Sequence, residues 1–139
     1  MRNGLVLMAL LLLLTACGSR NAPNDQIGES PRYIEESDYS GDEQAIVRLI
    51  NQRIKYSFEQ NETEYMKLFH EFSPISGLQK YRLHTVKLLE DIHIQEQNYS
   101  HVAVVRTEDA FLTGESFNNQ YVFIKWKKPG ADWKIADID

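Results

Sequence analysis

The chain has 139 residues, with 15 lysines and arginines against 20 aspartates and glutamates, a formal net charge of -5 at pH 7 and 42% hydrophobic residues. An acidic chain with no basic stripe or arginine-rich segment repels phosphate polymers, which argues against nucleic acid as a partner. The only cysteine, Cys17, allows no intramolecular disulfide and leaves no thiolate pair for a metal.

In chain order the first element is a leader. Arg2 and the amino terminus supply positive charge, Leu5 to Leu14 run without a polar interruption, and small residues follow. As a helix that run would cover about 15 Å, roughly half of a bilayer's hydrocarbon core, so residues 1–16 read as a cleaved signal peptide and not as a membrane span. The run ends in Leu14-Thr15-Ala16-Cys17, which resembles the lipobox of bacterial lipoproteins. The resemblance implies a diacylglycerol on the Cys17 sulfur, cleavage just before it and, in many bacteria, a further acyl chain such as palmitate on the new amino terminus. It places the mature chain on the extracytoplasmic face of the cell membrane, lipid-anchored. Where the family's inner-membrane retention aspartate would stand there is Gly18, which favours the outer membrane in a host that has two. Cleavage removes Arg2 and no acidic residue, so the charge of -5 becomes -6.

Residues 17–41 then read as the lipidated cysteine and a flexible tether, rich in Asn, Ser, Asp and Glu and carrying Gly18, Pro23, Gly28, Pro31 and Gly41. As random coil such a segment reaches about 25 to 30 Å. Tyr33, Ile34 and Tyr39 read as exposed side chains on it. The remainder, residues 42–139, suffices for one single-core domain and is too short for two.

Within the domain, Asp42 is placed to cap a helix whose apolar positions Ile46, Leu49, Ile50, Ile54 and Phe58 recur at helical spacing, with Arg48, Gln52, Lys55 and Glu59 opposite. Asn61 caps a second helix, with Glu64 placed as in a capping box and apolar surface from Tyr65 to Phe72, ended by Pro74. Ser76 to Arg82 is open to a short third helix. From Thr85 the period changes to that of strands, with runs at Val86–Leu88, Ile92–Ile94, Val102–Val105 and Tyr121–Trp126. These predict a four-stranded antiparallel meander. Pro129-Gly130 is a turn signal, and close pairing across it would set Trp126 opposite Trp133, Ile124 opposite Ile135 and Val122 opposite Asp137 on one buried face. Two helices covering one apolar face of a curved sheet make an α+β architecture.

The element order and the closing Trp133-Lys134-Ile135-Ala136-Asp137-Ile138 resemble the nuclear transport factor 2-like superfamily over residues 42–139. That resemblance implies a bent sheet wrapped around helices as a cone; a cystatin-like sheet on one helix is the alternative. The superfamily includes isomerases, dehydratases and cyclases as well as binding and scaffold domains. Its enzymes use a buried aspartate, histidine or tyrosine inside the cone, which singles out Asp137, Tyr65 and His70. Asp137 beside Trp133 and Ile135 would be desolvated and suited to a general base. Tyr65 and His70, five residues apart on one helix, would point about 140° apart and form no pair.

Other chemistry finds little footing. His70-Glu71 lacks the second histidine of a zinc-protease helix because Pro74 stands there, and His84, His93 and His101 have no metal-site spacing. There is no phosphate loop, no nucleophile elbow and no implied cofactor. Glu108-Asp109 and the loop Thr113 to Asn119 read as a hairpin whose aromatics complete the core, with a recognition loop as the functional alternative. The chain therefore reads as an envelope lipoprotein with a non-catalytic binding or scaffold domain for an envelope protein, a peptide or a small apolar ligand. The alternatives are a small isomerase, dehydratase or hydrolase using Asp137 with Tyr65 or His70, and a homodimer formed through an open sheet face.

Overall fold

The computed structural model describes residues 30–139; the leader and Cys17 lie outside the described residues. The longest helix, α1 (Gly41–Glu59), buries Ile46, Val47, Leu49, Ile50 and Ile54 along one stripe. It starts one residue before Asp42, from Ser40, because Asp42 is used elsewhere: its carboxylate accepts hydrogen bonds from Trp133 at 2.9 Å and Lys125 at 3.0 Å. The helix stops at Gln60, a non-glycine residue in the left-handed region at φ 56°. Asn61 then caps α2 (Glu62–Met66), accepting the Glu64 amide at 3.2 Å.

The second helix is thus one turn, where the apolar surface up to Phe72 predicted three. Tertiary pairing ends it: the Leu68 carbonyl accepts the Ile135 amide at 2.9 Å, and the His70 amide donates to the Ile135 carbonyl at 2.8 Å. This bridge recruits backbone that a helix would have consumed. Residues 70–82 contain no helix.

Five strands follow, β1 (Leu83–Leu88), β2 (His93–Glu96), β3 (Ser100–Phe111), β4 (Ser116–Trp126) and β5 (Lys134–Ile138). All pairings are antiparallel, and the architecture is α+β with few helices. The arrangement departs from the four-stranded meander: β1 and β2 both lie on the same edge of β3, at its two ends, and β5 is a fifth strand beyond β4. The buried face carries Ala103, Val105, Thr107, Asp109 and Phe111 of β3, Tyr121 and Phe123 of β4 and Ile135 of β5, packed with the apolar stripe of α1 into one core.

That face is the reverse of the predicted one on β4. Phe123 pairs with Ile135 and Ile124 with Lys134, while Val122 does pair with Asp137. An irregularity between Val122 and Phe123 admits Ala136 as an extra residue on β5, so a register carried straight across the turn fails by one. Trp133 is consequently 4% exposed and Trp126 37% exposed, on different sides of the hairpin.

The amino-terminal approach is also more ordered than a tether throughout. Asn51 on α1 clamps Ile34, its amide oxygen accepting the Ile34 N–H and its amino group donating to the Ile34 carbonyl, both at 2.9 Å. The Arg32 amide donates to the His84 carbonyl at 2.8 Å, and Ile34 and Tyr39 pack against the core. Residues 31–40 therefore belong to the folded body, with a short 3-10 helix at Glu36–Asp38.

Candidate functional site

The polar side chains that α1 and the sheet bring together are not those the sequence singled out. Arg53 stands seven residues after Ile46 and three after Ile50, in the middle of the apolar stripe of α1, and its side chain is fully buried. Asp109 follows Val105 and Thr107 at strand alternation and faces it, also fully buried. The Arg53 Nη1 donates to Asp109 Oδ2 at 2.8 Å and to the Tyr121 hydroxyl oxygen. The Tyr121 hydroxyl donates to the same carboxylate oxygen at 2.6 Å, and Thr107 Oγ1 donates to Asp109 Oδ1 at 2.8 Å. Arg53 Nη2 donates to Gln79 Oε1 at 3.0 Å, which closes the cluster toward solvent.

The electrostatics follow from this closure. Burial works to lower the Arg53 pKa, but the phenolic oxygens of Tyr121 and Tyr65 and the Asp109 carboxylate outweigh it, and the guanidinium is held charged above its ordinary value. Burial pushes the Tyr121 phenol well above its ordinary value; Arg53 opposes this and the Asp109 carboxylate adds to it. The phenol is thus a neutral donor whose proton is committed to Asp109. Among the described residues, Arg53 Nε and His84 Nε2 are the buried side-chain polar atoms with no hydrogen-bond partner.

Such a cluster can cross-link helix to sheet: apart from Arg53 Nε its donors and acceptors are turned on one another, and its carboxylate and phenol are committed within it. The interior around it is filled by Tyr65, Phe123, Ile46, Ile50 and Ile54. Surface clefts of about 230 to 540 Å³ leave Arg53, Asp109, Tyr121 and Thr107 out of their linings. One of about 240 Å³ reaches Gln79 from outside, between Tyr81, Phe111 and Phe117. Another, of about 420 Å³, lies between α1, α2 and the β4–β5 turn, with Ala45, Leu49, Leu68 and Trp133 beneath a rim that includes Arg48, Gln52, Lys67, Lys125 and Lys134.

The three sequence candidates are dispersed. Asp137 shares a register position with Val122 on the outer side, not a face with Ile135, and its Oδ1 accepts the Ile138 amide at 2.8 Å. Tyr65 is buried against Phe69, with ring centroids 5.1 Å apart, beside Arg53. His70 lies at the other end of the sheet, where Trp126 Nε1 points at its Nε2 at 3.1 Å and the Phe72 amide at its Nδ1 at 3.2 Å. A neutral imidazole offers one lone pair, so it accepts from only one of these donors at a time. His84, His93 and His101 are likewise scattered, and among the described residues no three potential metal ligands converge. The loop after Asp109 is a tight turn with Gly114 at φ 87°, where Phe111 is buried and Phe117 exposed in edge contact with it. A charged residue inside an apolar stripe is the one available signal for Arg53; Asp109, which the sequence groups with the hairpin loop, lies instead on the buried face of β3, which runs on to Phe111.

No family model matches the chain, and no curated protein matches it. Among solved structures it is similar to that of a candidate ketosteroid isomerase from Shewanella frigidimarina, at 11% identity and a TM-score of 0.45, over 70% of this chain and 95% of that one. A likeness at that level assigns no residue here a role.

Proposed function

We propose that this chain is a bacterial envelope lipoprotein, held by a lipidated Cys17 on the extracytoplasmic face of the membrane, whose domain is nuclear transport factor 2-like and binds a partner without transforming it. The observation that supports the non-catalytic part is the closed Arg53–Asp109–Tyr121–Thr107 cluster, whose donors and acceptors face one another inside a filled interior. An isomerase or dehydratase needs such groups to face a cavity. The element order, helices first and then an antiparallel sheet ending in Trp133 and Ile135 on the core side, supports the family assignment. The cleft between α1, α2 and the β4–β5 turn is the binding surface for an envelope protein or peptide, since its apolar floor lies beneath long polar side chains that adapt to a chain-like ligand.

Two experiments test this reading in separate parts. Metabolic labelling with a fatty-acid analogue is expected to mark the wild-type chain and not Cys17→Ser, which should also leave the membrane fraction; an unlabelled wild-type chain sinks the anchor. A photo-crosslinking residue at Gln52, in the cleft, is expected to capture one defined envelope component in the native membrane, and the same residue at Glu108 on β1's partner strand is not. Equal capture at both positions removes the cleft from the proposal. A purified chain that turns over an isomerase, dehydratase or hydrolase substrate, with the rate lost in Asp137→Asn and in Tyr65→Phe or His70→Gln, replaces the binding reading with the enzymatic one.

A further inference from the structure

The two ends of the sheet differ in a way that bears on how the domain sits on its membrane. Strand β3, with its 12 residues, is about 36 Å long at the usual strand rise. One end carries the β2–β3 and β4–β5 turns; the other carries the β3–β4 turn and the start of β1. The described chain begins at this second end, because the Arg32 amide is bonded to His84 on β1 and the Arg82 carbonyl to the Leu112 amide at the β3–β4 turn.

That end is apolar and cationic at once. Tyr81 is 40% exposed, Leu112 39% and Phe117 53%, and Tyr81 and Phe117 line one shallow cleft. Around them stand Arg32, Lys80 and Arg82, all exposed and none in an ion pair among the described residues. The Lys80 ammonium lies 5.1 Å from the Tyr81 ring centroid, so a cation and an aromatic ring share one spot. Glu115 is the carboxylate at the turn itself; Asp139 lies further along, against Gln120. The far end exposes Tyr99, Phe72 and Trp126 as well, but there Lys127 is paired with Glu96 and Asp132 stands in the same turn as Lys128, so it is the unpaired positive charge that sets the near end apart.

Covalent reach decides which end meets the bilayer if Cys17 is the anchor. From Cys17 to Ser30 there are 13 residue spacings, at most about 45 Å fully extended. Laying the far end on the membrane would consume about 36 Å of that in running back along the sheet, leaving the linker almost no conformational freedom. Laying the near end down requires only a few ångströms. Aromatic and aliphatic side chains flanked by Lys and Arg are also the composition that partitions into an anionic headgroup layer.

We propose that the β3–β4 end of the domain, through Tyr81, Leu112 and Phe117 with Arg32, Lys80 and Arg82, docks onto an anionic lipid surface and holds the α1–α2 cleft at a fixed orientation above it. The orientation rests on the anchor reading given above; the lipid contact itself does not, and can be measured without the anchor. In the mature chain from residue 17 carrying Cys17→Ser, the substitution Phe117→Cys supplies the sole thiol for an environment-sensitive fluorophore. Vesicles of phosphatidylglycerol and phosphatidylcholine at millimolar lipid are expected to shift its emission to the blue, phosphatidylcholine vesicles alone are not, and the same label at Tyr99→Cys at the far end should stay in water. Each of the three cations is worth about fivefold in partition, so changing Arg32, Lys80 and Arg82 together to glutamine should weaken binding about a hundredfold. Equal response at positions 99 and 117, no response to anionic vesicles, or a shift that follows protein concentration in the absence of lipid overturns the proposal, the last in favour of a second copy of this chain. Failure of the anchor alone has a different signature: the wild-type chain stays unacylated in its host while the labelled chain still partitions.

Discussion

Two ion pairs in this molecule use the same chemistry in opposite environments. Arg53 and Asp109 meet at 2.8 Å with both side chains wholly buried, whereas Arg106 and Glu90 meet at 2.9 Å with the arginine 63% exposed. On the surface, water screens each charge and would solvate it nearly as well alone. Inside, neither charge has any other means of solvation, so Tyr121, Thr107 and Gln79 are drawn in to hydrogen-bond the pair, with Arg53 Nε alone left over. The buried pair thereby fixes one arrangement of α1 against β3 and β4, and the surface pair fixes almost nothing. This difference also explains why titratable groups inside the domain need not mean catalysis: each of these is already committed to a neighbour.

The sharpest way to break the comparison is to remove one buried partner. Asp109→Ala leaves the Arg53 guanidinium buried without its counter-ion and is expected to cost about 3 to 5 kcal/mol in denaturant unfolding. Replacing both partners, with Arg53→Met and Asp109→Leu, removes the desolvation as well as the attraction and should restore most of that loss. If the double variant is as unstable as the single one, the cluster does more than balance its own charges. Tyr121→Phe keeps the pair but deletes the hydroxyl shared between them, and is expected to cost about 1 to 3 kcal/mol with no loss of the cooperative transition.

How much of this was legible beforehand can be judged residue by residue. The first helix, the Asn61 cap, the strand segments and the Pro129-Gly130 turn, with Gly130 at φ 73°, follow from local chemistry and stand in the sequence. What failed depended on distant partners. Leu68 and His70 left the helix because Ile135 offers their backbone a bridge, and Asp137 faced outward because one extra residue in β5 shifts the register. Arg53 and Asp109 sit at positions whose periodicity called for apolar residues, and each makes sense only in the presence of the other, 56 residues away. Local patterns carry no record of such pairs.

Asp42 stands between the two extremes and sharpens the comparison through pH. Its carboxylate is half-exposed but accepts the indole N–H of buried Trp133 and the Lys125 ammonium. The Trp133 hydrogen bond first, then Lys125, lowers its pKa below the ordinary 3.8, with burial opposing weakly. A carboxylate with a depressed folded pKa stabilises the fold at every pH above its unfolded value and loses that contribution as the pH falls through 3.8 toward the folded pKa. Wild type is therefore expected to lose stability on acidification below that point by more than Asp42→Asn does, and parallel acid titrations of the two show whether it does. At neutral pH the same substitution should cost about 1 kcal/mol, well below the loss expected for Asp109→Ala.

The smallest effect belongs to the surface pair itself. Arg106 both donates from its side chain and lends its backbone amide to Glu90, and these bonds hold the Glu90 pKa below its ordinary value. Yet the carboxylate is as well served by water, and the arginine side chain loses rotamer freedom in reaching it. Glu90→Gln keeps the shape and the amide contact while removing the charge, and its unfolding midpoint should coincide with that of the wild type at physiological salt. At low ionic strength, where screening weakens, the two curves should separate slightly, with the wild type the more stable. A large difference at physiological salt would mean that the Arg106–Glu90 contact is shielded from solvent, and the contrast between interior and surface would then rest on hydrogen-bond number and not on burial.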